Sequence, residues 1–147
     1  MSQWFECKIK YDKTTAEGVI KTSSETYLID ALSFTEAEAR IISEMQPYIS
    51  GEYKVDSVKR VRMSEIFFDE TGDKWYKAKV NFVSFDEKKG VEKRVANYMF
   101  VQASDFAKAL SNLMEGMKGT MSDFEIAAIN ETSILDVYKE NLGGSAE

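Results

Sequence analysis

The sequence contains one pattern twice, and this repeat constrains the fold more than any other feature. The stretch that begins Trp4-Phe5 returns 71 positions later as the stretch that begins Trp75-Tyr76. In both copies a lysine follows four residues after the tryptophan, and an aromatic residue follows three positions further on. Later segments correspond at offsets of 71 or 72, and the changes of offset fall in predicted loops or at a helix end, where insertions are tolerated. We therefore expect two copies of one small module.

The order of elements can be read in the first copy. Residues 4–11 alternate between apolar and polar side chains, which predicts a strand with one buried face. A polar hairpin loop and a second strand follow. Ser33 and Glu36 form a capping box, which predicts a helix that ends near Pro47. A third strand with some irregularity covers 53–61, and the residues after it either continue this strand or form a short fourth one.

This order predicts the fold class and the domain boundaries. We expect an α+β protein made of two tandem β-β-α-β(β) modules from an internal duplication, with antiparallel sheets that are each covered by one helix. The first module covers residues 1–70, the second covers 74–140, and 141–147 form a flexible tail. The modules either join their edge strands into a longer sheet or pack as a pseudo-twofold pair.

The composition excludes several classes of function. Histidine is absent, which removes the commonest general base and the commonest transition-metal ligand. Cys7 is the only cysteine and lies on the predicted buried face, so we interpret it as a buried thiol and not as a nucleophile. No segment approaches the roughly 18–20 apolar residues that a membrane span needs, and the N-terminus has no secretion signal. We expect a cytoplasmic protein without cofactor or metal.

The charge is unevenly distributed. The net charge is −6, and residues 115–147 hold seven acidic and two basic residues, whereas residues 74–94 hold seven basic and three acidic ones. Such basic strips are compatible with nucleic-acid binding, and an ordinary solvated surface of mixed charge explains them as well. The strips comprise Lys54, Lys59, Arg60 and Arg62, and Lys88, Lys89, Lys93 and Arg94.

The first strand of each module carries the candidate binding residues. On the face opposite the predicted helix, a tryptophan is followed by lysines at the next positions of the same face. Single-stranded nucleic acid needs this combination, because a base stacks on the indole ring while the ammonium groups contact phosphates. The predicted site comprises Trp4, Lys8, Lys10, Trp75, Lys77 and Lys79, with support from Arg60 and Arg62.

Two alternatives stay open. In the first, each tryptophan packs in an interface, and the chain is a protein-interaction or assembly module. In the second, Glu65 and Asp136, which hold equivalent positions, form a pair of carboxylates for acid–base chemistry or cation binding. The methionines after residue 113 (Met114, Met117 and Met121) are interpreted as core residues or as a groove for a partner helix. The expected partner is therefore single-stranded nucleic acid or another protein, with the chain a monomer or homodimer that binds no membrane.

Several segments also resemble a known family. They are Trp4-Phe5-Glu6-Cys7-Lys8, the stretch from Ala31 to Ala39 (ALSFTEAEA) and Glu65-Ile66-Phe67-Phe68-Asp69. Together they resemble a family of short bacterial proteins that carries only the label of a domain of unknown function. The resemblance extends over nearly the whole chain, to about residue 140. It implies no activity, cofactor or site residue.

Overall fold

The computed structural model describes residues 3–49 and 51–139. These residues form two four-stranded sheets with one helix for each sheet, which confirms the predicted α+β class. The predicted tail, 141–147, lies outside the described residues. The elements in chain order are β1 (Gln3–Thr14), β2 (Ile20–Ala31), α1 (Phe34–Met45), β3 (Tyr53–Val61), β4 (Glu65–Phe67), β5 (Lys74–Asp86), β6 (Val91–Ala103), α2 (Phe106–Gly116), β7 (Asp123–Glu131) and β8 (Ile134–Tyr138).

The chain divides into two compact units. The first comprises the residues up to Val61 together with those from Ser133, and the second runs from Arg62 to Thr132. In the first unit the strand order is β3-β1-β2-β8, and in the second it is β4-β6-β5-β7. The last strand of each repeat has therefore been exchanged: β4 pairs with β6 of the second repeat, and β8 pairs with β2 of the first.

This exchange corrects one prediction. The sheets are mixed and not purely antiparallel, because β4 and β8 each pair in parallel with their neighbour. The antiparallel pairs β1–β2 and β5–β6 can be predicted from the sequence, because a short hairpin loop connects the two strands of each pair. The partner of a short strand after a bend is set by contacts far along the chain, which local alternation does not encode.

The core of the first unit lies between its sheet and α1. Phe5, Cys7 and Ile9 are fully buried on the predicted face of β1. They pack with a stripe on α1, formed by Ala37, Ile41 and Met45 at helical spacing. In the capping box, Ser33 Oγ accepts from the Glu36 amide over 3.1 Å, and Glu36 Oε1 accepts from the Leu32 amide over 2.7 Å.

The core of the second unit has the same construction. Ala78 and Val80 of β5 are buried against Leu113 of α2 and its C-cap residue Met117, together with Met99 and Val101 of β6. Asp105 caps the helix by accepting from the Lys108 amide over 2.8 Å. A register shift between Lys79 and Val80, opposite β7, corresponds to one between Lys8 and Ile9, opposite β3. The predicted irregularity of the third strand is thus confirmed, and it recurs in both repeats. No helix in the described part of the chain is long and apolar enough to cross a membrane.

Candidate binding surfaces

On the second sheet, the tryptophan of the predicted nucleic-acid site is buried, while its two lysines are exposed or partly exposed. Trp75 lies on the face opposite α2, as its alternation predicts, but it is only 2% exposed. Its ring packs edge-to-face with Phe68 at 5.5 Å between centroids, and Phe100 on the same face is also 2% exposed. A base can stack only on an exposed indole ring, so Trp75 lacks the exposure that the nucleic-acid hypothesis needs. Alternation separates the two faces of a strand, but it does not reveal whether the second face is also covered.

Two of the basic side chains of that face have partners. The Lys77 ammonium group lies 4.9 Å from the ring centre of Tyr98, within cation–π range. Arg94 pairs with Glu125 at 2.8 Å and with Glu92 at 3.4 Å. The hydrogen bond to Glu125 raises the pKa of Arg94, and the same bond lowers the pKa of the Glu125 carboxyl. Lys79, directly across from Tyr98, is partly exposed.

The first sheet keeps more of the predicted surface. Trp4, Lys8 and Lys10 lie on the face opposite α1, and each is partly exposed. The neighbouring strand β3 adds Lys59 across from Glu6 and Lys54 across from Lys10. Lys10 also lies 3.6 Å from Asp56, so this face carries interleaved charges of both signs.

Arg60 does not extend this surface. Arg60 pairs in register with Phe5 and therefore lies on the helix-facing side of β3, away from Lys8 and Lys10. Its guanidinium group lies 5.3 Å from the ring centre of Phe34. Arg62 follows the end of β3 and is exposed. The predicted support from Arg60 is wrong, because the register places its side chain on the other face.

The remaining candidates occupy separate elements. Glu65 lies in β4 of the second sheet, and Asp136 lies in β8 of the first. Both carboxylates are exposed, and Asp136 Oδ1 accepts from the Val137 amide over 2.8 Å. Cys7 is fully buried, and burial raises the pKa of its thiol to about 12, in agreement with a core role. The described residues contain no group of three or more carboxylates and thiols that could hold a metal ion.

A groove between the helix and the outermost strand was not predicted. In the first unit it lies between α1 and β3, has a volume of about 370 Å³, and is bordered by Phe34, Thr35, Glu38, Asp56 and Ser57 among others. In the repeat alignment the corresponding residues of the second unit are Phe106, Ala107, Leu110, Ala127 and Ala128. Each polar residue of this set in the first unit corresponds to an apolar residue in the second.

A second pocket, of about 400 Å³, lies beyond the end of α1 in the first unit. It is lined by four tyrosines and two carboxylates, together with Ile49 and Leu135: Tyr11, Tyr27, Tyr48, Tyr138, Glu25 and Asp136. One sequence signal points to it: the alternation pattern places Tyr11 and Tyr27 on the core-facing side of the first hairpin. This pattern does not distinguish a residue that lines a pocket from one in the core. We name this the tyrosine pocket.

Comparison with protein families shows a family match that extends over nearly the whole chain. Residues 3–140 match the family described as a domain of unknown function, DUF4494. The chain belongs to this family. The DUF4494 match includes all ten elements, so both repeats and the tyrosine pocket lie within it. A comparison with curated proteins finds none that matches the chain.

Proposed function

We propose that this DUF4494 chain is a protein-interaction module that binds an extended segment of a partner protein along β7. One observation carries this proposal: a row of apolar side chains on α2 is exposed beside the outermost strand of the second sheet. Phe106 is 55% exposed, Leu110 is 40% exposed and Met114 is 50% exposed. Three large apolar side chains at i, i+4 and i+8 form a continuous stripe, which is typical of a contact surface. We name these three residues the apolar row.

The side of α2 that carries the apolar row follows from helix geometry. Asn112 donates to Asp69, and Gly116 lies against the Phe67 ring, so one side of α2 faces the β4 end of the sheet. At about 100° per residue, Leu110 and Met114 project from the opposite side of the helix. The strand order β4-β6-β5-β7 places β7 on that side.

β7 offers backbone groups to a partner. In the described part of the chain it pairs only with β5. The Thr132 amide donates to the Trp75 carbonyl over 2.9 Å. Because bonded residues alternate along an antiparallel pair, the backbone groups of Ile129 and Glu131 point away from β5. An extended segment that adds to this edge would pair with them, as in β-strand addition.

Charge indicates the chemistry of that segment. β7 contains Asp123, Glu125 and Glu131 and no basic residue, and its middle, 126–130, is uncharged. A second copy of β7 would bring acidic residues against acidic ones, which is unfavourable. A partner segment with apolar residues at alternate positions and basic residues at its ends complements both features. By contrast, β3 carries Lys54, Asp56, Lys59 and Arg60 along its length, a pattern that protects an edge strand.

The test is binding of a short capped peptide that has valine at alternate positions and a lysine at each end. We expect binding to slow hydrogen exchange at the amides of Ile129 and Glu131 and to leave β3 unchanged. Leu110→Glu introduces the residue type of Glu38, the equivalent position in the α1–β3 groove. It should weaken binding about tenfold, because one apolar contact with the peptide is lost. Ile42→Glu, at the position in α1 that corresponds to Met114, is the matched control and should have no effect.

A second pair of variants isolates the backbone contribution. Glu131→Pro removes an amide that points to the open edge, whereas Glu131→Ala removes the same charge and keeps the amide. We expect Glu131→Pro to bind about fivefold more weakly than Glu131→Ala, the value of about one hydrogen bond. Equal affinities, or equal binding of a peptide that ends in glutamates, would contradict strand addition at β7.

Single-stranded nucleic acid is a second candidate, for the first sheet alone. The observation that favours it is the common face of Trp4, Lys8, Lys54 and Lys59. Mixed-sequence single-stranded DNA should then quench the fluorescence of Trp4, less so at higher salt, and Trp4→Phe should abolish the signal. An unchanged emission spectrum would remove this candidate.

A further inference from the structure

The tyrosine pocket has the components of a site for a positively charged group, independently of β7. Two of its rings, Tyr27 and Tyr138, stack at 5.8 Å between centroids with an interplanar angle of 29°. Tyr48 is 75% exposed at the rim, and Tyr11 is partly exposed. Aromatic faces attract cations through the negative potential above the ring. Four such rings around one pocket of about 400 Å³ surround space for a small ligand.

Glu25 holds two of the rings in place. Its Oε2 accepts from the Tyr11 hydroxyl over 2.8 Å, and its Oε1 accepts from the Tyr27 hydroxyl over 2.9 Å. The hydrogen bond to Glu25 raises the pKa of Tyr11, and burial together with this carboxylate raises the pKa of Tyr27. Both phenols therefore stay neutral at ordinary pH, and they hold the Glu25 carboxylate beside the pocket.

Neither carboxylate of the pocket is paired with a basic side chain among the residues that the structure describes. Among the described residues that line it, none is basic, and neither Glu25 nor Asp136 has an ion-pair partner. Glu44 is close enough to Tyr138 to raise its pKa, although burial is the larger cause and Asp136 the next. The C-terminal end of α1, which has no basic residue in its last turn, adds the partial negative charge of the helix dipole.

We propose that the tyrosine pocket binds an alkylated ammonium group. Aromatic rings that surround a quaternary or methylated ammonium are the established chemistry for such ligands, and adjacent carboxylates strengthen the attraction. Inorganic cations fit less well, because their ligands would be oxygens in a close cluster and both Glu25 oxygens already accept from phenols. The ammonium group belongs either to a free small molecule or to a methylated lysine side chain of another protein.

The second unit lacks this chemistry at the equivalent positions. Tyr11 corresponds to Phe82, Glu25 to Asn97, Tyr27 to Met99 and Tyr138 to Phe67. The second copy therefore lacks these phenols and the carboxylate that corresponds to Glu25. It keeps a carboxylate at one position, because Glu65 corresponds to Asp136. The second unit is therefore an internal control for the same scaffold without the site.

The experiment is an NMR titration of the full chain with choline and, separately, with 3,3-dimethylbutan-1-ol, which has the same shape without the charge. We expect choline to shift the resonances of the pocket tyrosines and the neutral compound to bind at least tenfold more weakly. A peptide that contains trimethyllysine forms a third arm. Tighter binding of the peptide than of choline would assign the site to a protein-borne group, and tighter binding of choline to a free molecule.

Two variants test the assignment. Tyr48→Ala removes an exposed ring and should weaken choline binding about threefold to tenfold without unfolding the chain. Glu25→Gln removes the charge but keeps an oxygen that accepts from a tyrosine, and it should weaken binding by a similar factor. Glu65→Gln in the second unit should have no effect. Equal binding of choline and its neutral analogue, or unchanged affinity in both Tyr48→Ala and Glu25→Gln, would overturn the proposal.

Discussion

The two units share a scaffold and differ at its surface. Both place the first strand of the repeat at an inner position of the sheet, bury alternate residues under one helix, and shift register at the same point opposite the third strand. The groove beside that strand is polar in the first unit and apolar in the second. The pocket beyond the first helix is lined with four phenols, three of which correspond to Phe or Met in the second copy. The comparison teaches that duplication preserved the packing inside each unit while the side chains at the surface diverged in chemistry.

A partly buried hydrogen bond between helix and sheet shows how closely the scaffold is preserved. In the first unit the Arg40 side chain donates to the backbone carbonyl of Asp30. In the second, the equivalent Asn112 donates to the carbonyl of the equivalent residue, Gln102, over 3.0 Å. The side chain differs in length and charge, yet the helix is tied to the same point of the second strand. Polar groups inside the scaffold are constrained in this way because an unpaired buried carbonyl is costly.

The largest difference in the effect of equivalent substitutions on stability is expected at the end of α2. Gly116 lies so close to the Phe67 ring that an added Cβ would come within 2.5 Å of it, whereas α1 carries Glu44 at the equivalent position. Gly116→Ala should lower the free energy of unfolding by about 2 kcal/mol, because the ring must move. Urea unfolding measures this. Glu44→Ala is the matched control, and an equal loss there would contradict the asymmetry.

Converting the first groove into the second should transfer its binding property. The triple variant Glu38→Leu, Asp56→Ala and Ser57→Ala gives the α1–β3 groove the α2–β7 residue type at three of the four positions where a polar residue corresponds to an apolar one. We expect it to gain affinity for the lysine-ended peptide by about tenfold, measured by calorimetry in the Leu110→Glu background. No gain would mean that the charges along β3, and not the groove, decide the difference.

The two helix caps should contribute equally to the free energy of unfolding, although one is a serine and the other an aspartate. Ser33 and Asp105 each accept from the amide three positions later. Ser33→Ala and Asp105→Ala should each lower the free energy of unfolding by about 1 kcal/mol. A loss confined to one variant in thermal unfolding would show that the capping box with Glu36 makes the first cap different.

Alkaline pH should act mainly on the first unit. Burial and nearby carboxylates raise the pKa of Tyr138 to about 12, and they raise that of Tyr27 as well. A raised phenol pKa contributes stability below the unfolded value of about 10, and this contribution is lost as the pH rises toward the folded value. Tyr138→Phe should therefore flatten the decline of stability between about pH 10 and 12, as measured by urea unfolding at several pH values. A decline that stays as steep would contradict this origin.

The sequence predicted the parts of the fold that depend on local chemistry. Three features could be predicted because each depends on neighbours along the chain. They are the alternation in β1 and β5, the capping box at Ser33 and the irregular third strand. The exchange of β4 and β8 was not, because parallel partners are chosen by contacts distant in sequence. Trp75 illustrates the same limit for a site: alternation predicted its face but left open whether the ring is exposed or packed, and the structure shows that it is buried.

The pockets were harder to predict than the sheets. The tyrosine pocket joins Tyr11, Glu25, Tyr48 and Tyr138, which are spread from one end of the chain to the other. Only the pairing of β8 with β2 brings the last of these beside the others. The apolar row was visible as a helical stripe, but exposure, which the sequence does not report, separates Met114 from the buried Met117.

The most direct test of this divergence is one NMR experiment in which the same sample is titrated with choline and then with the lysine-ended peptide. We predict that choline shifts amide resonances around Tyr27, Tyr48 and Tyr138 in the first unit. The peptide should shift those of Leu110, Met114 and residues 126–131 in the second, with choline still bound. Two separate sets of shifts would support two surfaces of different chemistry on one repeated scaffold. A single set that responds to both ligands, or shifts in equivalent positions of both units, would contradict it.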